Sequence, residues 1–397
     1  MPGQFRHLIA RFLDGGAHRV VCIGRRGDFA PPGAGRVTYT LPDSVLTEPN
    51  LFLSPMDEAI RHGLQVMRAC EALKANGFRP DLIAAHPGWG ESLYVKQIFP
   101  DVPLLNYCEI FYSPFGADTN FDPAARQSAE ANCVTMTRNA PLLLGLEVCD
   151  RGMSPTHWQK SRHPAAYRDK IAVLFDGIDT GTARPDRSAV FELPGGTQLN
   201  PGDEVVTYVA RSLEPYRGFP TFMRALPRIL RARPQARVVV LGADDPVYGK
   251  PPPDGRSWRE TLLKEIEIDP ARVHFLGHVP REAYTRLLQV SAVHVYLTVP
   301  FVLSWSMLEA MAAGCLVIGS ATPPVQEAIE NGRNGILVDF FSAEEVADRV
   351  VDALAHPTRY TGLRAAARWT ALSRYSLERC LPPQVAFLEA MAQGNAP

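Results

Sequence analysis

A chain of 397 residues, 46% hydrophobic and 21% charged, is long enough for two cores and belongs with globular proteins rather than disordered or fibrous ones. Its formal net charge of −1 excludes a protein that coats nucleic acid, because no surplus of cations is present to neutralise phosphates. No window reaches the unbroken apolar length of a membrane span, the first residues lack a signal-peptide pattern, and the seven cysteines sit mostly in apolar runs without a CxxC pair, which points to a reducing, cytoplasmic compartment.

The chain opens on QFRHLIARFLDGG, a helical pattern with Phe5, Leu8, Ile9 and Phe12 on one face that stops at Gly15-Gly16, and no strand precedes it. Apolar runs then recur at VVCIG (20–24), DLIAAH (81–86), VPLLNYCE (102–109), IAVLFDG (171–177), VVTYVA (205–210), ARVVVLGA (236–243), RVHFLGHV (272–279), AVHVYLT (292–298), CLVIGSA (315–321) and GILVDF (335–340). Continuous rather than alternating apolar runs mark strands buried on both faces. Helical patterns lie between them, as from Met56 to Gly77, where Ile60, Leu64, Met67 and Leu73 share a face. Repeated strand–helix units predict doubly wound parallel sheets. Between Gly177 and Asp203 the periodicity lapses into a Gly-, Pro- and Thr-rich stretch, the best domain boundary. A second unpatterned stretch, DDPVYGKPPPDGRS (244–257), interrupts the second domain where a strand should turn into its helix.

Several residues could carry chemistry. Arg211 and Arg217, in VARSLEPYRGF, follow a buried strand, where guanidinium groups suit a diphosphate; two solvated loop arginines is the competing reading. In VPFVLSWSMLEAMAAG, Ser304 and Ser306 open a helix whose first N–H groups favour an anion, and Ser306 with Glu309 fits an S-x-x-E capping box as well as a ligand carboxylate. His86, in IAAHPGWGES, ends a strand beside glycines that admit a ligand to the backbone, and Glu91 is either an acid–base group or a first-turn glutamate. His274 and His278 are too far apart on a strand to share a metal, and Asp244-Asp245 fits turn chemistry. Neither GxxxxGK[ST] nor GxSxG occurs. Arg6, Arg11, Arg19, Arg25 and Arg26, against Asp14 alone, form either an ordinary solvated face or a surface for peripheral contact with anionic lipid.

Taken together, ARSLEPYRG, HVP, PFVLSWSMLEAMAAGCLVIGS, PPVQEAIENGRNGILVDF and IAVLFDGID resemble the retaining family four glycosyltransferases of the GT-B fold, over nearly the whole chain. The resemblance implies an α/β protein with two doubly wound, Rossmann-like domains facing a cleft. Its expected parts are an acceptor-side domain at 1–178, a linker at 179–203, a nucleotide-sugar domain at 204–365 and a C-terminal helix at 366–397 crossing back to the first domain. It implies that Arg211 and Arg217 bind the donor diphosphate and that Glu309, as the second glutamate of an E-x7-E pattern, accepts hydrogen bonds from the ribose hydroxyls. Phe301 stands where the first, sugar-contacting glutamate is expected. The backbone of Val302, Leu303, Ser304 and Trp305 would meet phosphate, that of Val279 the base, and His86 would lie beside the transferred sugar. The family's usual chemistry needs no metal or cofactor; the co-substrate is a nucleotide-diphosphate sugar, and the acceptor, a glycan, lipid-linked glycan, protein or small molecule, is not legible. Relatives begin with a short apolar strand before a segment like PGQFRHL, so Met1, directly before PGQF, predicts a start that lacks that strand and phosphate-proximal residues near Gly3. A binder of the same fold that has lost transfer is the alternative implied by Phe301.

Overall fold

The computed structural model of the chain describes residues 3–25 and 30–395; Met1, on which the missing first strand was argued, and Arg26 of the basic set lie outside the described residues. Two compact units result, one of Met1–Gly177 with Leu377–Pro397 and the other of Ile178–Ser376.

In the first unit β1 (Val21–Gly24) and β2 (Gly35–Thr38) pair in parallel, and β3 (Ile83–Ala85), β4 (Leu104–Tyr107), β5 (Arg151–Ser154) and β6 (Ile171–Val173) form a four-stranded parallel sheet in that order. The helix Ser54–Ala75 turns Ala59, Val66 and Cys70 inward and ends before Gly77, whose φ of 78° suits only glycine without strain. On the far side the helix Arg6–Leu13 brings Leu8, with Phe5 just before it, against Leu105, Tyr107 and Met153. The same cluster takes in Leu388 and Met391 of the helix Leu377–Ala392. Gln384 ties that helix down by donating to the carbonyl of Phe175 at 2.7 Å.

The boundaries differ from those expected. The stretch 179–203 is no free linker: β7 (Phe191–Glu192) and β8 (Gln198–Leu199) form an antiparallel hairpin whose turn uses Gly195 and Gly196 at positive φ. Phe191, Leu193 and Leu199 pack on Val205, Val239, Leu241 and Leu287, so the hairpin is part of the second unit. Residues 366–376 also stay with the second unit rather than crossing, because Arg364 and Arg368 of the helix Thr361–Thr370 donate to the carbonyls of Ala292 and Ala312.

The second unit is built on β9 (Val205–Ser212), β10 (Arg237–Ala243), β11 (Val273–Gly277), β12 (Val293–Tyr296), β13 (Leu316–Ser320) and β14 (Ile336–Val338), all parallel, in the order β11-β10-β9-β12-β13-β14. Val205, Val206, Val293 and Val295 have no exposure, as the unbroken apolar runs require. The helix Phe219–Ala232 covers one face with Phe222, Leu226 and Ile229, each fully buried, a gain of about 1.5–3 kcal/mol per side chain. The sheet's order reverses between β9 and β12, and in such sheets the crevice beyond the carboxyl ends at this switch point is where ligands bind.

Candidate active site

At that switch point β9 leads into a turn, Pro215–Arg217, closed by Gly218. Gly218 has φ 63°, and a Cβ there would stand 2.5 Å from Cβ of Leu297, so only glycine lets the turn lie against the chain leaving β12. Arg217, 7% exposed, donates from Nη1 to Oγ1 of Thr298 at 2.7 Å, to the carbonyl of Val302 at 3.2 Å and toward the Tyr296 hydroxyl at 3.4 Å. The chain leaving β9 is thereby bonded across the switch point to the chain leaving β12. Tyr296 in turn accepts the N–H of Ser304 at 2.9 Å, which fixes the approach to the helix Trp305–Ala313. The N–H groups of Val302 and Leu303 make no hydrogen bond among the described residues and remain available to an anion. Arg211, by contrast, is exposed on β9 and takes no part in these bonds.

Phe301 is buried edge-on against Tyr216 (5.3 Å, 86°) and Tyr248 (5.2 Å, 64°), and the guanidinium of Arg217 lies 5.4 Å from the Tyr248 ring and 6.0 Å from its own. The position expected to present a carboxylate therefore belongs to an aromatic cluster around a buried cation, where ring faces offset part of the cost of removing the charge from water.

Glu309 is no helix cap. The helix begins at Trp305 with Ser304 as its cap, whose Oγ accepts from the N–H of Ser306 at 3.3 Å, and this puts Glu309 in the second turn, out of reach of the capped end. Glu309 as a whole residue is 4% exposed, and its carboxylate is held from the helix Arg281–Val290: Oε1 accepts from Nη2 of Arg281 and Oε2 from the hydroxyl of Tyr284, both at 2.6 Å. Burial, with the charge of Glu309, pushes the Tyr284 phenol well above its usual range, so it stays a neutral donor. Val279, half-buried two residues before Arg281, packs against the same core cluster as Tyr284.

One carboxylate in this unit has no place among the sequence expectations. Glu214 is completely buried, and its oxygens accept the N–H groups of Val247 (3.3 Å), Tyr248 (3.2 Å) and Gly249 (2.6 Å). It is the anchor of the 244–257 stretch, whose Tyr248 covers Arg217; Asp244 pairs with Arg259 at 2.6 Å. A glutamate between two arginines at the end of a buried strand was the signal that could have found it.

In the first unit His86 leaves β3 with 9% exposure. Its Nδ1 accepts the N–H of Gly88 at 3.1 Å and its Nε2 bonds Oε2 of Glu109 at 3.0 Å, just past β4. Oε1 of Glu109 accepts from Nε2 of Gln4 at 2.9 Å, so it is Gln4, beside the exposed Gly3, that links the chain's start to this cluster. Glu91 precedes the helix Val95–Ile98 and accepts from the Tyr39 hydroxyl at 3.2 Å, which also bonds Nδ1 of His62 at 2.6 Å. Among the described residues no group of three or more His, Cys, Asp or Glu could hold a metal ion, and no helix is long and apolar enough to cross a membrane.

A family model described as glycosyl transferase family 4 group matches residues 16–183, and one described as glycosyl transferases group 1 matches residues 203–356. The chain belongs to the family 4, group 1 glycosyl transferases, of GT-B fold. It is 29% identical over 256 residues to the D-inositol 3-phosphate glycosyltransferase of Rhodococcus jostii (strain RHA1), covering 62% of this chain and 51% of that one. It is 28% identical over 222 residues to the GDP-mannose-dependent alpha-(1-6)-phosphatidylinositol monomannoside mannosyltransferase of Mycobacterium tuberculosis (strain H37Rv), covering 53% of this chain and 54% of that one. The chain spans about half the length of the curated relatives it matches. Among solved structures, sucrose-phosphate synthase from Thermosynechococcus elongatus superimposes with a TM-score of 0.69 at 17% identity, over 98% of this chain and 92% of that one. Anabaena Alr3699/HepE in complex with UDP-glucose gives 0.63 at 15%, over 91% and 86%. These two likenesses are of fold.

Proposed function

We propose that the chain is a hexosyltransferase-type glycosyltransferase that moves a sugar from a nucleotide-diphosphate-sugar donor to an acceptor, with retention at the anomeric carbon. The observation that carries this reading is the bonding of Arg217 to Thr298 and Val302 across the switch point, which puts a buried cation beside the approach to the helix that carries Glu309. Glu309 receives the ribose hydroxyls, the N–H groups of Val302 and Leu303 receive phosphate, and the backbone at Val279 receives the base. Arg211, exposed, reaches the diphosphate from solvent.

In the reaction the bond from the anomeric carbon to the phosphate oxygen breaks, and the acceptor oxygen bonds that carbon on the same face. The acceptor's proton passes to the departing diphosphate, whose new negative charge Arg217 offsets from a fixed position, where a preorganised cation contributes most. UDP-glucose, held in the complex of Anabaena Alr3699/HepE, and GDP-mannose, on which the similar mannosyltransferase depends, are the first to test. Incubation with both, followed by chromatography of released nucleotide, should show donor hydrolysis or transfer. Arg217→Met, which keeps volume and removes charge, should lower turnover by about a hundredfold to a thousandfold. Equal turnover would remove Arg217 from the mechanism. A second reading, a nucleotide-sugar binder without transfer, is favoured by the burial of Phe301 where a sugar-contacting carboxylate was expected; saturable donor binding with no nucleotide released would establish it.

A further inference from the structure

His86 has no ring nitrogen left to offer a ligand. Because Nδ1 accepts from Gly88, its proton sits on Nε2 and is donated to Glu109, so the histidine serves to aim a carboxylate. The ring is itself fixed. It stacks on Tyr107 at 5.8 Å and 27°, whose hydroxyl is locked to Asp176 at 2.6 Å, and a Cβ on Gly88 would stand 2.8 Å from its Cε1. Glu109 accepts one bond on each oxygen, from His86 and from Gln4, and each oxygen keeps a second lone pair. Its side chain is 18% exposed, enough to be reached but not to move freely.

Beside His86 stands Trp89, 51% exposed although it is the largest apolar side chain type, with its ring 4.9 Å from that of the histidine and tilted by 39°. Its indole N–H makes no hydrogen bond among the described residues. An indole left in water beside the histidine that aims this carboxylate is unfavourable for the free protein and suited to a ligand with an apolar face and polar edges. A sugar or cyclitol ring has that form: axial C–H bonds cover an aromatic face while vicinal hydroxyls donate to a carboxylate. We infer that Trp89, Glu109 and Gln4 form a subsite for a cyclic polyol ring in the first unit. This deepens the transferase reading and rests on it, and the ring is either the acceptor's or the donor's own sugar.

The test uses the full chain. Methyl α-D-glucopyranoside and myo-inositol are titrated with saturation-transfer NMR reading the ring protons, while UDP, GDP, UDP-glucose and GDP-mannose are titrated calorimetrically into the same preparations. Trp89→Ala, at an exposed position, and Glu109→Gln, which keeps shape, should each weaken polyol binding by about tenfold, the effect of one lost favourable contact, with UDP and GDP affinity changed less than about twofold. A loss read on the free polyols assigns the subsite to the acceptor. A loss read only as the difference between nucleotide sugar and bare nucleotide assigns it to the donor sugar. Affinities unchanged in both variants, for free polyols and nucleotide sugars alike, overturn the subsite. Polyol binding without any nucleotide binding sinks the donor reading and leaves the subsite standing.

Discussion

Arg281 and Glu309 form an ion pair of 2.6 Å in which the carboxylate is 5% exposed and the guanidinium 42%. With Tyr284 on the other oxygen, the carboxylate is held in one rotamer before any ligand arrives, and each oxygen retains one lone pair, which in the proposed function receives a ribose hydroxyl. Glu309→Gln leaves only one acceptor oxygen for Arg281, Tyr284 and the ribose together. Nucleotide affinity, by calorimetry with UDP and GDP, should fall about tenfold to a hundredfold, the range for a hydrogen bond to a charged group. Glu309→Ala should lose stability as well, by about 1–3 kcal/mol, because the buried Tyr284 hydroxyl is left unpaired. Unchanged nucleotide affinity in Glu309→Gln would return this carboxylate to a purely structural role.

Glu214 should act at a distance, through Tyr248. Glu214→Gln offers one acceptor in place of two to the N–H groups of Val247, Tyr248 and Gly249, and introduces two donors into a site made of donors. The 244–257 stretch should loosen, with faster hydrogen exchange at those amides and lower turnover, while UDP and GDP affinity changes little. Exchange rates equal to wild type would show that Ser212, which donates to the carbonyl of Asp245 at 2.6 Å, holds the loop unaided.

Writing the expected carboxylate back into the chain should harm it. Phe301→Glu removes a ring packed on Tyr216 and Tyr248 and inserts a group that must be desolvated, with Arg217 as its nearest cation. Chemical denaturation should show a loss of about 2–4 kcal/mol, between that of a large-to-small core change and that of a partly paired buried charge. A variant of undiminished stability with higher turnover would instead mean that the aromatic cluster only fills a gap.

All ten apolar runs became strands; β4, β12 and β13 are buried at every position, β3 formed although Ala84 is exposed, and burial on both faces leaves a signal within the run itself. The fifth strand did not, although it lies in the middle of the first sheet: Arg151, Gly152 and Ser154 break the apolar pattern. Gly152 is there for packing, as a Cβ would meet Sγ of Cys108 at 2.8 Å. The hairpin at 191–199 passed for a linker because its Pro-Gly-Gly turn outweighed two very short strands. Within the candidate site, Arg217 and Glu309 were nominated by their motifs; the helix start at Trp305 removes the capping box for Glu309, and its ligand role is what the Glu309→Gln variant tests. Glu109, Glu214, Arg281 and Tyr284 were missed because each depends on a partner more than twenty residues away, which no local spacing encodes.

Acid should weaken the second unit through His294. This side chain has no exposure, shares a 2.9 Å hydrogen bond between Nδ1 and Thr207, and leaves Nε2 without a partner. Burial pushes it down to about 3 from an ordinary 6.5. Between those values the unfolded chain binds a proton that the folded chain refuses, so stability is complete above the unfolded value and falls as the pH drops below it, by up to about 1.4 kcal/mol per pH unit. His163, pushed down by burial to about 4, adds a similar slope in the first unit. Urea unfolding from about pH 7 to about pH 5 should therefore show falling stability in the wild type. His294→Asn, less stable at neutral pH, should show a shallower fall, reduced further by adding His163→Asn, with His62 and His274, also pushed down by burial, keeping part of the slope. A wild-type stability that is flat over this range would mean that His294 gains its proton without opening the fold.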